Sequence, residues 1–249
     1  MDVIAPPEDL ETRNALLAAM PVEARGMLIA GSEVVHLEQR RVLWERGQET
    51  GYVYFPLSGI LSLVTVMDDG DMVEAATVGR EGMAGLHHFL GSRSMRNQRA
   101  ISQVAGESLE VAAGAFREAS QAGGPLRDLL ERYALVRMVS MAQEVACNRL
   151  HPLEMRCARW LLTTRAQLGS DEFELTQEFL AEMLGVRRAT VTVAAGILQK
   201  AGLIRYRRGR MEVVEADGLA AASCECYRVI RDEFDRFLEE LKDRFRRQK

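Results

Sequence analysis

The chain has 249 residues, 47% of them hydrophobic and 27% charged, with a net charge of −4; that is enough for two modest domains with separate cores. No run approaches the ~20 uninterrupted apolar residues of a membrane span, and the opening residues, Met1 to Glu8, lack a basic stretch followed by an apolar one, so a cytoplasmic protein without a secretion signal is expected. Four cysteines (Cys147, Cys157, Cys224, Cys226), scattered through predicted helices, make no disulfide framework and suit a reducing compartment.

Leu10 to Ala30 carries helical signals interrupted by Pro21, predicting one or two short helices. From Glu33 to Val111 the apolar period shifts towards two. Val35, Leu37, Val42 and Leu43 precede Gly47; Tyr52 to Phe55 and Ile60 to Val66 follow, and Asp68-Asp69-Gly70 marks a hairpin turn into Met72 to Val78. Short strands punctuated by glycine predict a small antiparallel β-roll. His87-His88 could be read as a metal or haem ligand pair, but no further ligand motif accompanies it, and a surface pair is the expectation. Arg93, Arg96 and Arg99, spaced by three, read as a solvated basic face or an anion site.

Gly123-Gly124-Pro125 ends the roll and opens a helix running to about Leu150. Leu126, Leu129, Leu130, Tyr133, Val136, Val139, Met141 and Val145 form a broad stripe on it, which a linker helix must bury against something. Pro152 breaks that helix, and Leu153 to Gln167 form the next.

Two helices are then predicted to meet across a very short turn. Thr176 suits an N-cap, Glu178 an acidic first turn, and Phe179, Leu180, Met183 and Leu184 fall at helical spacing. Gly185 stands where a helix ends in a left-handed residue, and the pattern restarts with Val186, Val191, Ala194, Ala195, Ile197 and Leu198. Small Ala181 permits close approach, so the pair reads as a helix-turn-helix. Leu203 to Val214 alternates apolar and polar residues around a glycine-containing turn, which predicts a β-hairpin wing. From Arg187 to Arg210 there are seven lysines or arginines and no acid, although the whole chain is acidic.

That segregated charge points to double-stranded DNA. Arg187 and Arg188 can present bidentate donors to guanine O6 and N7 or to phosphate. Thr190 and Thr192 can contact phosphate or a thymine methyl, and Ala189 and Val193 can offer apolar contact to thymine methyls. Thr176, Arg205, Arg207 and Arg208 are placed for backbone contacts, which position without specifying. Beyond the wing, Asp217-Gly218 restarts a helix with a stripe through Leu219, Ala222, Cys226, Val229, Ile230, Phe234, Phe237, Leu238, Leu241 and Phe245. It is expected to dock on the DNA-binding part or reinforce a dimer, leaving Arg244, Arg246, Arg247 and Lys249 free. Cys224-x-Cys226 is isolated and lacks redox-motif spacing, so both are read as helix residues; no metal site and no cofactor are expected.

The run from Leu175 to Ile204 resembles the winged helix-turn-helix of the Crp/Fnr bacterial transcription regulators, and the match continues upstream as a sensory β-roll and dimer helix over nearly the whole chain. The resemblance implies an α+β fold: an antiparallel β-roll sensory domain over 1–123, a dimerisation helix over 124–151, a winged helix-turn-helix over 152–216 and an added amphipathic helix over 217–249. In that family a few side chains near the start of the recognition helix read bases, and the matching positions here are Arg188, Ala189 and Val193. An acidic residue usually stands at the place of Ala189, and often arginine at that of Val193, so a different operator is expected.

Val78 to Leu86 resembles the phosphate cassette of cyclic-nucleotide domains, in which a helix N-terminus and an arginine hold the phosphate and a glutamate holds the ribose. The match through Gly82, Met83 and Ala84 puts Met83 at the glutamate, Arg99 at the phosphate arginine and Ala100 at the usual Ser or Thr. Met141 and Ala142 replace a Thr and a Ser that contact adenine. A lost buried polar partner costs ~1–3 kcal/mol, so high-affinity cyclic AMP binding is not expected. An iron–sulfur cluster of the family's kind needs cysteines near the N-terminus, and none precedes Cys147.

The implied function is a homodimeric, non-enzymatic transcription regulator acting on palindromic operators, with RNA polymerase a further partner and the effector unidentified. A cyclic-nucleotide-gated activator stays open. So does an enzyme using the β-roll cleft with His87 or His88, although no nucleophile, base and orienting group recur in a recognisable arrangement.

Overall fold

The structure is a computed structural model that describes residues 10–247, with side chains for Leu10 and residues 13–241. The readings of Met1 to Glu8, Arg244, Phe245, Arg246, Arg247 and Lys249 lie outside the residues so described. No helix among the described residues is long and apolar enough to cross a membrane. They fall into two compact units, one of residues 10–63, 77–138 and 233–247, the other of residues 64–76 and 139–232.

The first unit opens with α1 (Leu10–Arg13), α2 (Ala15–Ala18) and α3 (Val22–Ala30), three short helices where one or two were expected. Asn14 separates the first two because its side chain accepts a hydrogen bond from Leu17 N as an N-cap. The strands that follow in the chain are β1 (Ser32–Leu37), β2 (Val42–Trp44), β3 (Tyr52–Pro56), β4 (Ile60–Val66), β5 (Met72–Val78), β6 (Gln98–Val104) and β7 (Gly106–Ala112), of which residues 64–66 of β4 and 72–76 of β5 are counted with the second unit. They form two sheets, ordered β1-β7-β3 and β2-β6-β4-β5, the expected roll. β7 pairs antiparallel with both neighbours and sets Leu109 between Val34 and Phe55, all three buried. α4 (Ala113–Gln121) then packs Phe116 edge-on to Phe55, with ring centroids 6.4 Å apart. This helix was not foreseen. Its apolar positions Ala113, Phe116 and Ala119 are too few over nine residues to announce a period.

α5 (Gly124–Leu150) runs as expected, but its stripe divides. Leu126, Leu129, Leu130, Tyr133 and Val136 are buried in the core of their own chain, whereas Val139 and Val145 are exposed and Met141 is half-buried. The first five residues therefore face the β-roll and not a twin helix.

In the second unit α6 (Leu153–Leu168), β8 (Glu172–Glu174), α7 (Gln177–Leu184) and α8 (Arg188–Lys200) are followed by the hairpin of β9 (Ile204–Arg207) and β10 (Arg210–Val213), with sheet order β8-β10-β9. The C-terminal helix is interrupted. α9 (Ala216–Ala222) stops at Ser223, which takes an extended conformation, and α10 (Cys226–Arg247) starts three residues later. Cys224 thus lies outside any helix, contrary to its reading from sequence. In the first unit, the second half of α10 brings Phe237 and Leu241 into the core beside Tyr133, 6.0 Å between rings, with Arg132 paired to Glu240 and Arg137 over Phe234. That half docks on α5, an arrangement not foreseen.

Candidate nucleic-acid interface

α7 and α8 meet through a turn that the local sequence dictates. Thr176 Oγ1 caps α7 by accepting from Phe179 N at 3.1 Å. Gly185 closes it at φ 63, and Val186 N then returns to the Ala181 carbonyl at 3.0 Å. A side chain at Gly185 would be strained by that φ and would press on Val73, whose side chain lies 3.1 Å from where a Cβ would stand. Arg156 of α6, itself buried, donates to the Leu184 carbonyl at 2.6 Å, satisfying an orphan at the end of α7. Its neighbour Arg159, also buried, is paired with the half-buried Glu144.

α8 buries Val191, Ala194, Ala195 and Leu198, the i, i+3, i+4, i+7 stripe, against this scaffold. The opposite face carries the expected DNA-reading residues. Arg187 stands at the N-cap position, and Arg188, Ala189, Thr190, Thr192 and Val193 are all exposed. Val193 is 64% exposed and Ile197, one turn on and part of the apolar pattern that marks the helix, is 50% exposed. Arg188 lies 3.7 Å from Glu178, an exposed pair worth ~0–1 kcal/mol and readily exchanged for a nucleic-acid partner. The Thr192 hydroxyl lies 2.7 Å from Gln177 Oε1 and 3.1 Å from the Arg188 carbonyl, so its methyl is the freer group.

The wing turns at Arg208 and Gly209, both at positive φ (51 and 79), and pairs Arg207 with Arg210 and Ile204 with Val213. Two central residues at positive φ define the type I′ turn that suits the twist of a hairpin. Ile204 faces inward, while Arg205 and Arg207 face out, and Arg208 is exposed at the tip. Arg205 is paired with Glu212 across the hairpin, which partly neutralises it. Gln199 Oε1 accepts from Tyr206 N at 2.8 Å, tying the wing to α8.

The residues suggested for an effector pocket lie in different surroundings. Met83 is buried in the hydrophobic core, and Ala84 and Ala100 are buried in a second cluster with Trp44 and Tyr54. Arg99 Nε donates to Glu45 Oε2 at 2.7 Å, so its guanidinium already has a carboxylate. Tyr133 fills the space over Gly82: its hydroxyl accepts from Met83 N at 3.0 Å and donates to the Met83 carbonyl at 3.1 Å. A Cβ on Gly82 would fall 2.1 Å from that hydroxyl, which is why glycine stands there. Only one turn of 3₁₀ helix, Leu86–His88, follows the cassette. On α5, Met141 is half-buried and Ala142 exposed.

The histidine pair is not at the surface. His87 and His88 are buried, both within hydrogen-bond reach of Thr50 Oγ1, with Arg117 3.2 Å from His88 Nδ1 and Trp44 edge-on to His87. Burial, and then His88 beside it, pulls the His87 pKa down to about 4, keeping the ring neutral. The sequence also gave no sign that Cys147 and His151 of one segment meet Cys224 and Cys226 of another. The two segments are 77 residues apart, which no local spacing motif spans.

Residues 155–222 match the Crp-like helix-turn-helix domain, and residues 34–122 the cyclic nucleotide-binding domain. No curated protein matches the chain by sequence. Several solved structures share the fold. A Eubacterium rectale protein described as a transcriptional regulator of the Crp/Fnr family is 16% identical, with a TM-score of 0.67 over 83% of this chain and 96% of its own. FixK2 from Bradyrhizobium japonicum is 14% identical, with a TM-score of 0.65 over 78% and 98%. CLP of Xanthomonas campestris, a c-di-GMP-responsive global regulator, is 16% identical, with a TM-score of 0.63 over 78% and 99%.

Proposed function

We propose that this chain, which belongs to the Crp/Fnr family of transcription regulators by its two matched domains, acts in the cytoplasm as a homodimer, without enzymatic activity, and binds palindromic operators through α8. The observation that carries the reading is the division of α8 into a buried stripe and an exposed face headed by Arg187 and Arg188, with the exposed wing arginines beside it. Arg188 reads a base, Arg187 and the wing bind phosphate, and Val193 offers thymine an apolar surface.

A second copy of the chain is supported by α5. Leu135, Met138, Ala142 and Val145 are exposed at spacings of three, four and three, the heptad seam of a two-stranded coiled coil, with Leu135 58%, Met138 68% and Val145 71% accessible. Two recognition helices related by such an axis reach successive major grooves, about 10 to 10.5 base pairs between half-site centres.

Cyclic AMP does not gate the protein on this reading, because Met83 is buried in the core, where a ribose-binding carboxylate would be needed, and the Tyr133 hydroxyl is bonded to the cassette backbone. Selection from random duplexes by the purified chain tests the proposal. Enrichment of one inverted repeat supports it, with Arg188→Ala relaxing preference at one position in each half-site; equal recovery of all sequences by the wild type refutes it.

A further inference from the structure

Outside the interface and the β-roll, four ligating side chains converge in the second unit. Cys147 lies in the last turns of α5, His151 follows it by one helical turn, Cys224 lies in the break between α9 and α10, and Cys226 begins α10. Their Sγ and ring-nitrogen atoms all lie within 4.8 Å of one another. Cys147 Sγ is 3.5 Å from Cys224 Sγ, and Cys226 Sγ is 3.4 Å from His151 Nδ1. The three cysteines are buried and form a cluster of their own, with no aliphatic side chain among them.

We propose that these residues bind one zinc ion in a tetrahedral Cys3His site that ties the end of α5 to the start of α10. Thiolate with imidazole is the donor set a structural zinc takes. Bond lengths of about 2.3 Å to sulfur and 2.0 Å to nitrogen place two tetrahedral sulfurs about 3.8 Å apart and a sulfur and a nitrogen about 3.5 Å apart; the sulfur pair at 3.5 Å and the sulfur–nitrogen pair at 3.4 Å lie within about 0.3 Å of those values. An iron–sulfur cluster interposes its own iron and sulfide between the thiolates and needs them more widely spread. The thiols are also not a disulfide, since 3.5 Å is well beyond the ~2.05 Å of the bond.

The surroundings fit the same ion. His151 turns its other nitrogen, Nε2, towards Glu225 Oε2 at 3.3 Å. That contact holds the proton on Nε2 and leaves the Nδ1 lone pair to the metal, the carboxylate–histidine–zinc arrangement. Gln143 Nε2 donates to Cys226 Sγ at 3.0 Å, a polar contact that holds the sulfur in place. Uptake releases the three thiol protons to solvent and changes no oxidation state. Pro152, the N-cap of α6, follows His151 directly. The ion therefore fixes the junction of α5 and α6 as well as the root of α10.

The test uses the full chain, stripped with chelator under reducing conditions and titrated with zinc and with cobalt(II). One zinc per chain, and intense visible cobalt bands with thiolate-to-metal charge transfer, support the site. Cys226→Ser abolishes that stoichiometry, Glu225→Gln weakens binding about 10- to 100-fold, and Cys157→Ala, outside the cluster, keeps one ion per chain. Cobalt bands in the wild type carry the result even where a variant does not fold. No metal uptake by the reduced wild type overturns the proposal. So does an octahedral cobalt spectrum, or iron with sulfide in anaerobically isolated protein.

Discussion

Replacing Tyr133 with phenylalanine removes one oxygen from the place where α5 is pinned to the degenerate cassette. The hydroxyl is fully buried and makes two hydrogen bonds, accepting from Met83 N and donating to the Met83 carbonyl. Phenylalanine keeps the ring, its contact with Phe237 and its place over Gly82, so packing loss is small. The cost is the stranding of two buried backbone groups at ~1–3 kcal/mol each, or about 3 kcal/mol when the lower half of the range is taken for both. Hydrogen exchange of the Met83 amide reads this locally, free of the two-state assumption that a chain of two units does not satisfy. Tyr133→Phe is expected to speed that exchange roughly a hundredfold. Acceleration of less than about threefold, well under 1 kcal/mol, would falsify the claim that the hydroxyl holds the cassette to α5.

Other consequences follow from the same geometry. Glu144→Gln leaves the buried Arg159 guanidinium without this carboxylate at a cost of about 3–5 kcal/mol, and amide exchange along the middle of α6 should quicken by at least about a hundredfold; acceleration under about fivefold contradicts the burial argument. Arg208→Asn keeps a residue that accepts positive φ at the wing tip and removes one charge. Operator affinity should fall alike for all sequences, and the salt dependence should lose about one unit of slope. Thr176→Ala should cost about 1 kcal/mol through its lost cap, read as faster amide exchange at Phe179. The His87 pKa is lowered in the folded state, so the unfolded chain binds the extra proton. Its contribution is intact above the unfolded value of about 6.5 and is lost as pH falls from there towards 4. His87→Gln should flatten that part of the stability profile, and an unchanged acid limb counts against a buried neutral ring.

What could be read from sequence was what is local. Thr176, Gly185 and the Val191-to-Leu198 stripe sit within about two helical lengths of one another, and each acts through its own backbone or its neighbour's; the helix-turn-helix and the wing turn were legible for that reason. Partnership across distance was not. Polar His87 and His88 looked like surface residues because Thr50 and Arg117, the side chains within hydrogen-bond reach of them, lie far off in the chain. The α5 stripe was read as a dimer seam, but Leu126 to Val136 pack within the chain, and the heptad of exposed residues lies on another face. The cysteines seemed scattered because the break at Ser223, which brings Cys224 and Cys226 towards Cys147, interrupts a run with good helical periodicity.

The central claim is that two copies of the chain present two α8 helices to one duplex. Hydroxyl-radical footprinting of the purified protein on its selected operator tests this most directly. Two equivalent protected patches about 10 to 10.5 base pairs apart, related by a dyad and lost together at high salt, are the predicted result. A single unrepeated patch on the best site would contradict it.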